Sequence, residues 1–535
     1  MADTKAPLTH RQEQLTESLP SFTLPVVETI ELTGGPLSID QIQAVAMGQA
    51  GVVLAASAKE RMGNSRRVIE DALAEGKTVY GVNTGFGRLA GIHIPSSKLR
   101  DLQLNLVRSH ACGVGPPLSL YETRALMLLR ANTLAKGYSG VRIGLLNHVL
   151  LMLEHGIIPV VPEQGSVGAS GDLTPLAHMA LAVIGEGQVF YRGLSMPAAE
   201  AFRRAALRLQ TLEAKEGLAL LNGTQAMTAV GALALLRAER LAGVADAAGA
   251  MSLEALRGTP VPFDERIQAV RPHSGQKTSA AHLRFLLRNS EIRQSHLVND
   301  PRVQDAYSLR CMPQVHGAAR DVFTHVRSLI EVETASATDN PLVFAETGEV
   351  LSGGNFHGAP LAFGLDYAGI ALADLASMSE RRIARLVHPD LNEGLPPFLT
   401  VHPGVESGFM VPQIVAVSLL NDLKILAHPA SVDSLPTSGS QEDHVSMGMT
   451  AARKLRAMVT NAERIFAIEL LTAAEGLEHR APLRPGRGVE QLLEVIRKRV
   501  ARLTGDRPLA PDIERITEAI RSGDFDEWAL KPVQS

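Results

Sequence analysis

The amino-acid sequence predicts a mainly α protein: a long parallel or antiparallel helix bundle with a smaller, mixed N-terminal region. Three observations carry that expectation. Apolar residues recur at three- and four-residue intervals over long stretches, extended stretches are few, and Pro/Gly punctuation falls between the periodic segments. With 535 residues, 45% hydrophobic and 20% charged, the chain is too long for one simple core, so several domains or one large interlocked body are expected.

Residues 1–25 read as a polar, flexible tail without the apolar core of a secretory signal. Residues 26–220 form the N-terminal region. Within it RALMLLRANTLAKG (124–137) and GLLNHVLLMLEHG (144–156) have helical spacing and each ends at Gly. TVYGV (78–82) and VFYRG (189–193) are the best strand candidates. Residues 221–480 form the central bundle. Its first helix, 225–258, is apolar nearly all round and is expected to lie buried among other helices. Segments 356–387, 411–427 and 448–475 read the same way, and the more charged residues 481–535 read as a C-terminal helical cap.

The net charge of −4 supplies no field for nucleic acid or an anionic membrane. Apolar runs stop short of the ~20 residues a bilayer needs, and 358–378 is interrupted by Asp366 and Asp374. A soluble, cytoplasmic protein is expected. Cys112 and Cys311 are far apart and form no CxxC, which suits a reducing compartment. No HExxH or similar spacing suggests a metal.

The densest chemical signal is GSVGASGDLTPLAH, residues 165–178. A phosphate loop needs a Lys or GxGxxG, and this stretch has neither. A nucleophile elbow has the wrong spacing, because Ser170 adjoins Gly171. A plain loop into a helix fits, with Thr174 as cap and Pro175 in the first position. So does backbone self-processing of Ala169-Ser170-Gly171. The unhindered Gly171 nitrogen attacks the Ala169 carbonyl, and the closing ring loses a water. Loss of the Ser170 hydroxyl as a second water gives a 4-methylidene-imidazol-5-one, a strong electrophile made from the chain itself. The following helix N-terminus favours electron density arriving there, and Asp172 is placed to shuttle protons.

The whole string resembles the histidine and aromatic amino-acid ammonia-lyases and their aminomutase relatives. So do VYGVNTGFG (79–87), NLVRSHACGVG (105–115), KEGLALLNGTQ (215–225), RPHSGQ (271–276), QDAYSLRCMPQV (304–315), TDNPL (338–342), GGNFHG (353–358) and QEDHVSMG (441–448), in one order over nearly the whole chain. The resemblance implies that Ala169, Ser170 and Gly171 form the methylidene-imidazolone cofactor and that Tyr80 is the base. It implies that Asn222 contacts the substrate carboxylate or amine and the cofactor oxygen, that Tyr307 is catalytic, and that Asn355 and Phe356 line the pocket. Gln304, Tyr307 and Arg310 are spaced i, i+3, i+6, which on a helix aligns them along one side. Arg310 is matched to the substrate carboxylate, a bidentate partner that Lys cannot copy. A homotetramer with sites shared between chains is also implied.

Two positions bear on substrate. Ser109-His110 and Glu442 resemble the histidine-deaminating members, where L-histidine gives trans-urocanate and ammonia. A carboxylate accepts from an imidazole N–H, whereas against a phenyl ring it is desolvated without a partner. Glu442 with His110 would then orient the imidazole. The alternatives are a tyrosine or phenylalanine lyase or aminomutase on the same scaffold, or a catalytically silent helical scaffold. Ser440 and Ala335 stand where the family often has Asn.

Overall fold

Helix starts are written into the chain as reciprocal caps. Ser38 and Gln41 form a capping box ahead of the helix Ile39–Ala46, and Ser119 and Glu122 form one ahead of Leu120–Ala135. The second box starts its helix four residues before the apolar periodicity does. The computed structural model describes residues 28–85, 91–298 and 300–529. The tail at 1–25 and the last two residues of VYGVNTGFG lie outside them.

The described chain is mainly helical. The segments expected to be helical become Leu120–Ala135, Ile143–His155, Gln225–Ala255, Ala359–Val387, Met410–Leu426 and Gly448–Glu478. Gly156, in the left-handed region, ends the second of these, as the sequence predicts. Sheet is confined to small pieces: a parallel pair (Glu28–Leu32 with Ala50–Leu54), an antiparallel triplet (Ile158–Pro159, Gln188–Tyr191, Leu194–Pro197) and two short antiparallel pairs. Gln188–Tyr191 is the strand expected at 189–193. The other candidate, 78–82, is a turn. Gly81 has φ +70°, and the Asn83 side chain accepts from the Val79 N–H at 2.8 Å, so the backbone curls instead of extending.

The chain divides into two compact units. The first comprises residues through Leu233 with Leu329–Ala362 and Ser431–Thr450; the second comprises Ala234–Ser328, Phe363–Ala430 and Ala451–Ser535. In the first unit the helices Leu99–His110, Leu173–Val183 and Glu216–Leu221 pack pairwise against one another. In the second, ion pairs tie the bundle together. Arg327 pairs with Glu239, Arg237 with Glu463, and the fully buried Arg382 with Glu469. Helices Arg487–Arg497 and Ala510–Ser522 form the C-terminal part.

Two helices exceed what the apolar runs suggested. Ala359–Val387 and Met410–Val432 reach the length and apolarity of a membrane span, 61% and 22% buried respectively over their most apolar windows. Asp366 does not interrupt the first, because its carboxylate pairs with Lys454 at 3.1 Å.

Candidate active site

The Gly-Ser-Gly stretch forms a sharply bent loop at the start of the helix Leu173–Val183. Gly168 and Gly171 both have positive φ, +69° and +72°, and they bracket Ala169 and Ser170. Gly171 pairs with Gly223 in an isolated parallel bridge, and the Asp172 N–H donates to the Gly223 carbonyl at 2.7 Å. A Cβ on Gly171 would lie 2.1 Å from that carbonyl oxygen, so no other residue fits. Ala169 is buried and Ser170 half-buried. A tight bend, an unhindered nitrogen at 171 and a hydroxyl at 170 are what a cyclising triad requires, and the residues present fit the ring.

Asp172 is fully buried at the helix N-cap, but its side chain makes no capping bond. The Ser166 hydroxyl donates to Oδ1 at 2.7 Å and the Met227 N–H to Oδ2 at 2.8 Å. Thr174, expected as the cap, lies inside the first turn, because the helix already starts at Leu173. Burial pushes the Asp172 carboxyl up to about 6. The N–H groups of Met227 and Ala226 and the Ser166 hydroxyl limit the rise, and nearby Glu333 adds to it.

Three remote segments close over this loop. The Ser446 hydroxyl donates to the Gly168 carbonyl at 3.0 Å, and the Met447 N–H donates to the Val167 carbonyl at 2.8 Å. The Met227 side chain sits among Gly168, Gly358 and Gly448, at each of which a Cβ would approach it to 3.3 Å or less. The motifs GSVGASGD, GGNFHG and QEDHVSMG are thereby brought together, and His357 stacks on His444 with ring centroids 5.8 Å apart.

The most direct contact between predicted site residues is Ser170 to Glu442. The hydroxyl donates to Glu442 Oε1 at 2.8 Å, and Thr437 donates to Oε2 at 2.7 Å. Asn222 is buried beside Gly223. Its Nδ2 donates to the Asn340 carbonyl at 2.9 Å, and its own carbonyl accepts from Arg130. Arg130 is fully buried and also donates to Gln225 at 2.8 Å; burial lowers its pKa to about 10, so it stays charged at neutral pH. Lys215 and Asp339, both buried, pair at 2.7 Å. His110 Nδ1 donates to the Leu106 carbonyl at 2.9 Å, which leaves Nε2 as the acceptor of the neutral ring. Ser109 is exposed, with its Oγ 3.0 Å from His110 Nδ1. Just past His110, the Gly113 N–H donates to His178 Nε2 at 3.0 Å on the helix that follows the triad. Tyr80 is half-buried on the turn whose Gly81 abuts Leu218, one turn ahead of Asn222. Asn355 is exposed and Phe356 half-buried; Asn355 Nδ2 donates to the Ala337 carbonyl at 3.3 Å.

Gln304, Tyr307 and Arg310 belong to the second unit. The helix there covers only Tyr307–Arg310, after an extended Ala306, so Gln304 does not share its face. Asp305 turns away to accept from the Thr259 N–H at 2.6 Å, which breaks the expected run. The Arg310 guanidinium lies 4.6 Å from the centroid of the exposed Tyr307 ring. The sequence reading missed Ser166, Met227, Thr437, Ser446 and Arg130. Ser166 and Ser446 sit inside recognised motifs, whereas Thr437 has no local signal.

The family model for the aromatic amino acid lyases matches residues 37–498. This chain belongs to the aromatic amino acid lyase family. It is a carbon–nitrogen lyase, and the family's chemistry depends on the methylidene-imidazolone group. A histidine ammonia-lyase of Anaeromyxobacter sp. (strain K) is 54% identical over 507 residues, covering 93% of this chain and 99% of that protein. Among solved structures, histidine ammonia-lyase from Trypanosoma cruzi aligns with TM-score 0.87 and 41% identity over 94% of this chain and 95% of that one. Tyrosine aminomutase from Streptomyces globisporus aligns with TM-score 0.89 and 37% identity over 95% of this chain and 99% of that one. This lyase therefore shares its fold with enzymes of more than one substrate, and the choice rests on side chains in the site.

Proposed function

We propose that this lyase is a histidine ammonia-lyase, converting L-histidine to trans-urocanate and ammonia. The observation that carries the reading is the Glu442 carboxylate, held by Thr437 and directed at Ser170. An imidazole N–H satisfies a carboxylate in that position, and a phenyl ring strands it at a cost of roughly 1–3 kcal/mol or more. The histidine ammonia-lyase relatives at about half identity support the same choice.

A 4-methylidene-imidazol-5-one formed from Ala169, Ser170 and Gly171 supplies an electrophilic carbon that turns the substrate nitrogen into a leaving group. In a site shared between chains of the assembly proposed below, Tyr80 Oη takes the β-proton of histidine, and an Arg310 binds its carboxylate in a two-point grip. Glu442 and His110 orient the imidazole, with Ser109 fixing His110. Asn222 and Gln304 hold the substrate, while Tyr307 joins Tyr80 and Glu442 among the catalytic groups. Phe356 and Asn355 line the pocket, with Phe356 packing near the ring.

The assembly we propose is a soluble, cytoplasmic homotetramer whose sites draw residues from more than one chain. Support comes from the helix Met410–Leu426, which exposes Val411, Ile414, Val415, Val417 and Ile425. The same helix exposes Asp422 and Lys424, charges that a lipid-facing span excludes and a subunit interface tolerates. Sedimentation of the purified protein as a monomer overturns this part.

Parallel assays with histidine, tyrosine and phenylalanine test the reaction. Urocanate absorbance is expected with histidine alone; coumarate or cinnamate in its place assigns the chain to another substrate. Ser170→Ala is expected to abolish turnover in a folded protein. A wild-type intact mass that retains both waters refutes the cofactor and favours a silent scaffold.

A further inference from the structure

We propose that Glu442 and Thr437 serve the making of the cofactor before Glu442 serves the substrate. The Glu442 carboxylate holds the Ser170 hydroxyl for departure, and that departure frees Oε1 for the ring N–H of an imidazole. The proposal rests on the reading of residues 169–171 as a cyclising triad.

The geometry leaves this carboxylate little slack. Its backbone is paired with Thr437 in both directions, N–H to carbonyl at 2.8 Å and 3.4 Å, as an isolated antiparallel bridge. Thr437 Oγ1 occupies Oε2, and only Oε1 reaches Ser170 Oγ. Downstream, Ser446 and Met447 are bonded to Gly168 and Val167, so the 437–447 segment is registered against the triad. Asp172 does not compete for the Ser170 hydroxyl, because Ser166 and Met227 already occupy its two oxygens.

Dehydration of residue 170 breaks Cα–H and Cβ–Oγ and makes Cα=Cβ. The Cα–H electron pair becomes the new π bond, and the Cβ–Oγ pair leaves with oxygen. Oγ must gain one proton to leave as water rather than hydroxide, and the proton released from Cα to solvent balances it. The acid within hydrogen-bond reach of Oγ is Glu442. In the resting pair the hydroxyl donates to the carboxylate; once Glu442 carries a proton, the same 2.8 Å contact delivers it to Oγ. After water leaves, Oε2 keeps Thr437 while Oε1 has lost its donor. The pocket then presents a half-paired carboxylate, and the acid that dehydrated Ser170 becomes the group that selects an N–H-bearing side chain. Glu442 is thus a catalytic residue for maturation, and Thr437 is the positioning residue that aims it.

Cell-free synthesis followed by intact mass against time tests this without any assay of the finished enzyme. Wild type is expected to lose two waters. Glu442→Gln and Glu442→Ala are expected to lose the second about 100-fold more slowly, and Thr437→Val about tenfold more slowly. Thr437→Ser, which keeps the hydroxyl, is expected to match wild type. Circular dichroism on the same samples reports folding independently. Loss of both waters at the wild-type rate in both Glu442 variants overturns the proposal and leaves the triad intact. A wild-type chain that never loses water overturns the triad reading itself.

Discussion

Asp172 in the first unit and Asp246 in the second are both fully buried, yet their surroundings drive them in opposite directions. Around Asp172 the donors are neutral, two N–H groups and a hydroxyl, and Glu333 adds a like charge. Burial wins and the carboxyl rises to about 6. Asp246 is also pushed up by burial, but Arg320 donates to it at 2.6 Å, His282 Nδ1 at 3.0 Å and His316 Nδ1 at 2.7 Å. Their combined pull holds it well below the ordinary carboxylate range. Burial lowers His316 while its contact with Asp246 raises it, and Arg320 brings a guanidinium to the same carboxylate. Burial alone therefore does not decide charge; the partners do. The bundle keeps a permanent anion as a structural hub, whereas the loop beside the triad keeps a carboxyl able to exchange its proton near neutrality.

The comparison breaks first, if it breaks, on stability. Asp246→Ala strands Arg320 and is expected to cost about 3–5 kcal/mol in urea unfolding. Asp172→Asn keeps shape and loses no cation, so a cost under about 2 kcal/mol is expected; equal losses would erase the distinction. The pH dependence sharpens it, with opposite signs. Asp172 binds its proton more tightly when folded, so its contribution to stability falls as pH rises from about 4 to about 6. A shift from 3.8 to about 6 is worth about 3 kcal/mol, seen as the wild-type curve minus the Asp172→Asn curve. Asp246 has a depressed folded pKa, so its contribution is present above about pH 4 and is lost as pH falls further. Slopes of the same sign would overturn one of the two assignments, and the sign itself says which. Next, Gly171→Ala forces a Cβ to 2.1 Å from the Gly223 carbonyl. A cost of about 1–3 kcal/mol is expected, together with a chain that keeps both waters by mass. Smallest is Ser38→Ala, which removes a cap remote from both aspartates, costs about 1 kcal/mol and leaves the mass loss as in wild type.

Helices were legible because burial imposes a 3.6-residue period on them; Gln225–Ala255 and Gly448–Glu478 end within about three residues of expectation. The turn at 78–82 was misread because Thr78, Val79, Tyr80 and Val82 are all strand-favouring residue types. Its actual path is set by one positive φ and one Asn side chain, neither a periodic feature. At the site, Ser170, Asn222 and Glu442 were legible as parts of long motifs. Thr437 was not, since its importance lies in a contact with Glu442 that only the folded loop creates. Arg130 was hidden for the same reason: an Arg in an apolar helix reads as a surface charge, yet it is wholly buried against Asn222 and Gln225.

Gly168 meets its partner Ser446 across 278 positions of chain. A ribosome that has not yet released that later segment carries a nascent polypeptide whose reactive loop has no clamp. On the proposed cyclisation of residues 169–171, a product that ends before Ser446 is expected to keep both waters, so the electrophile would form only where a complete chain encloses it.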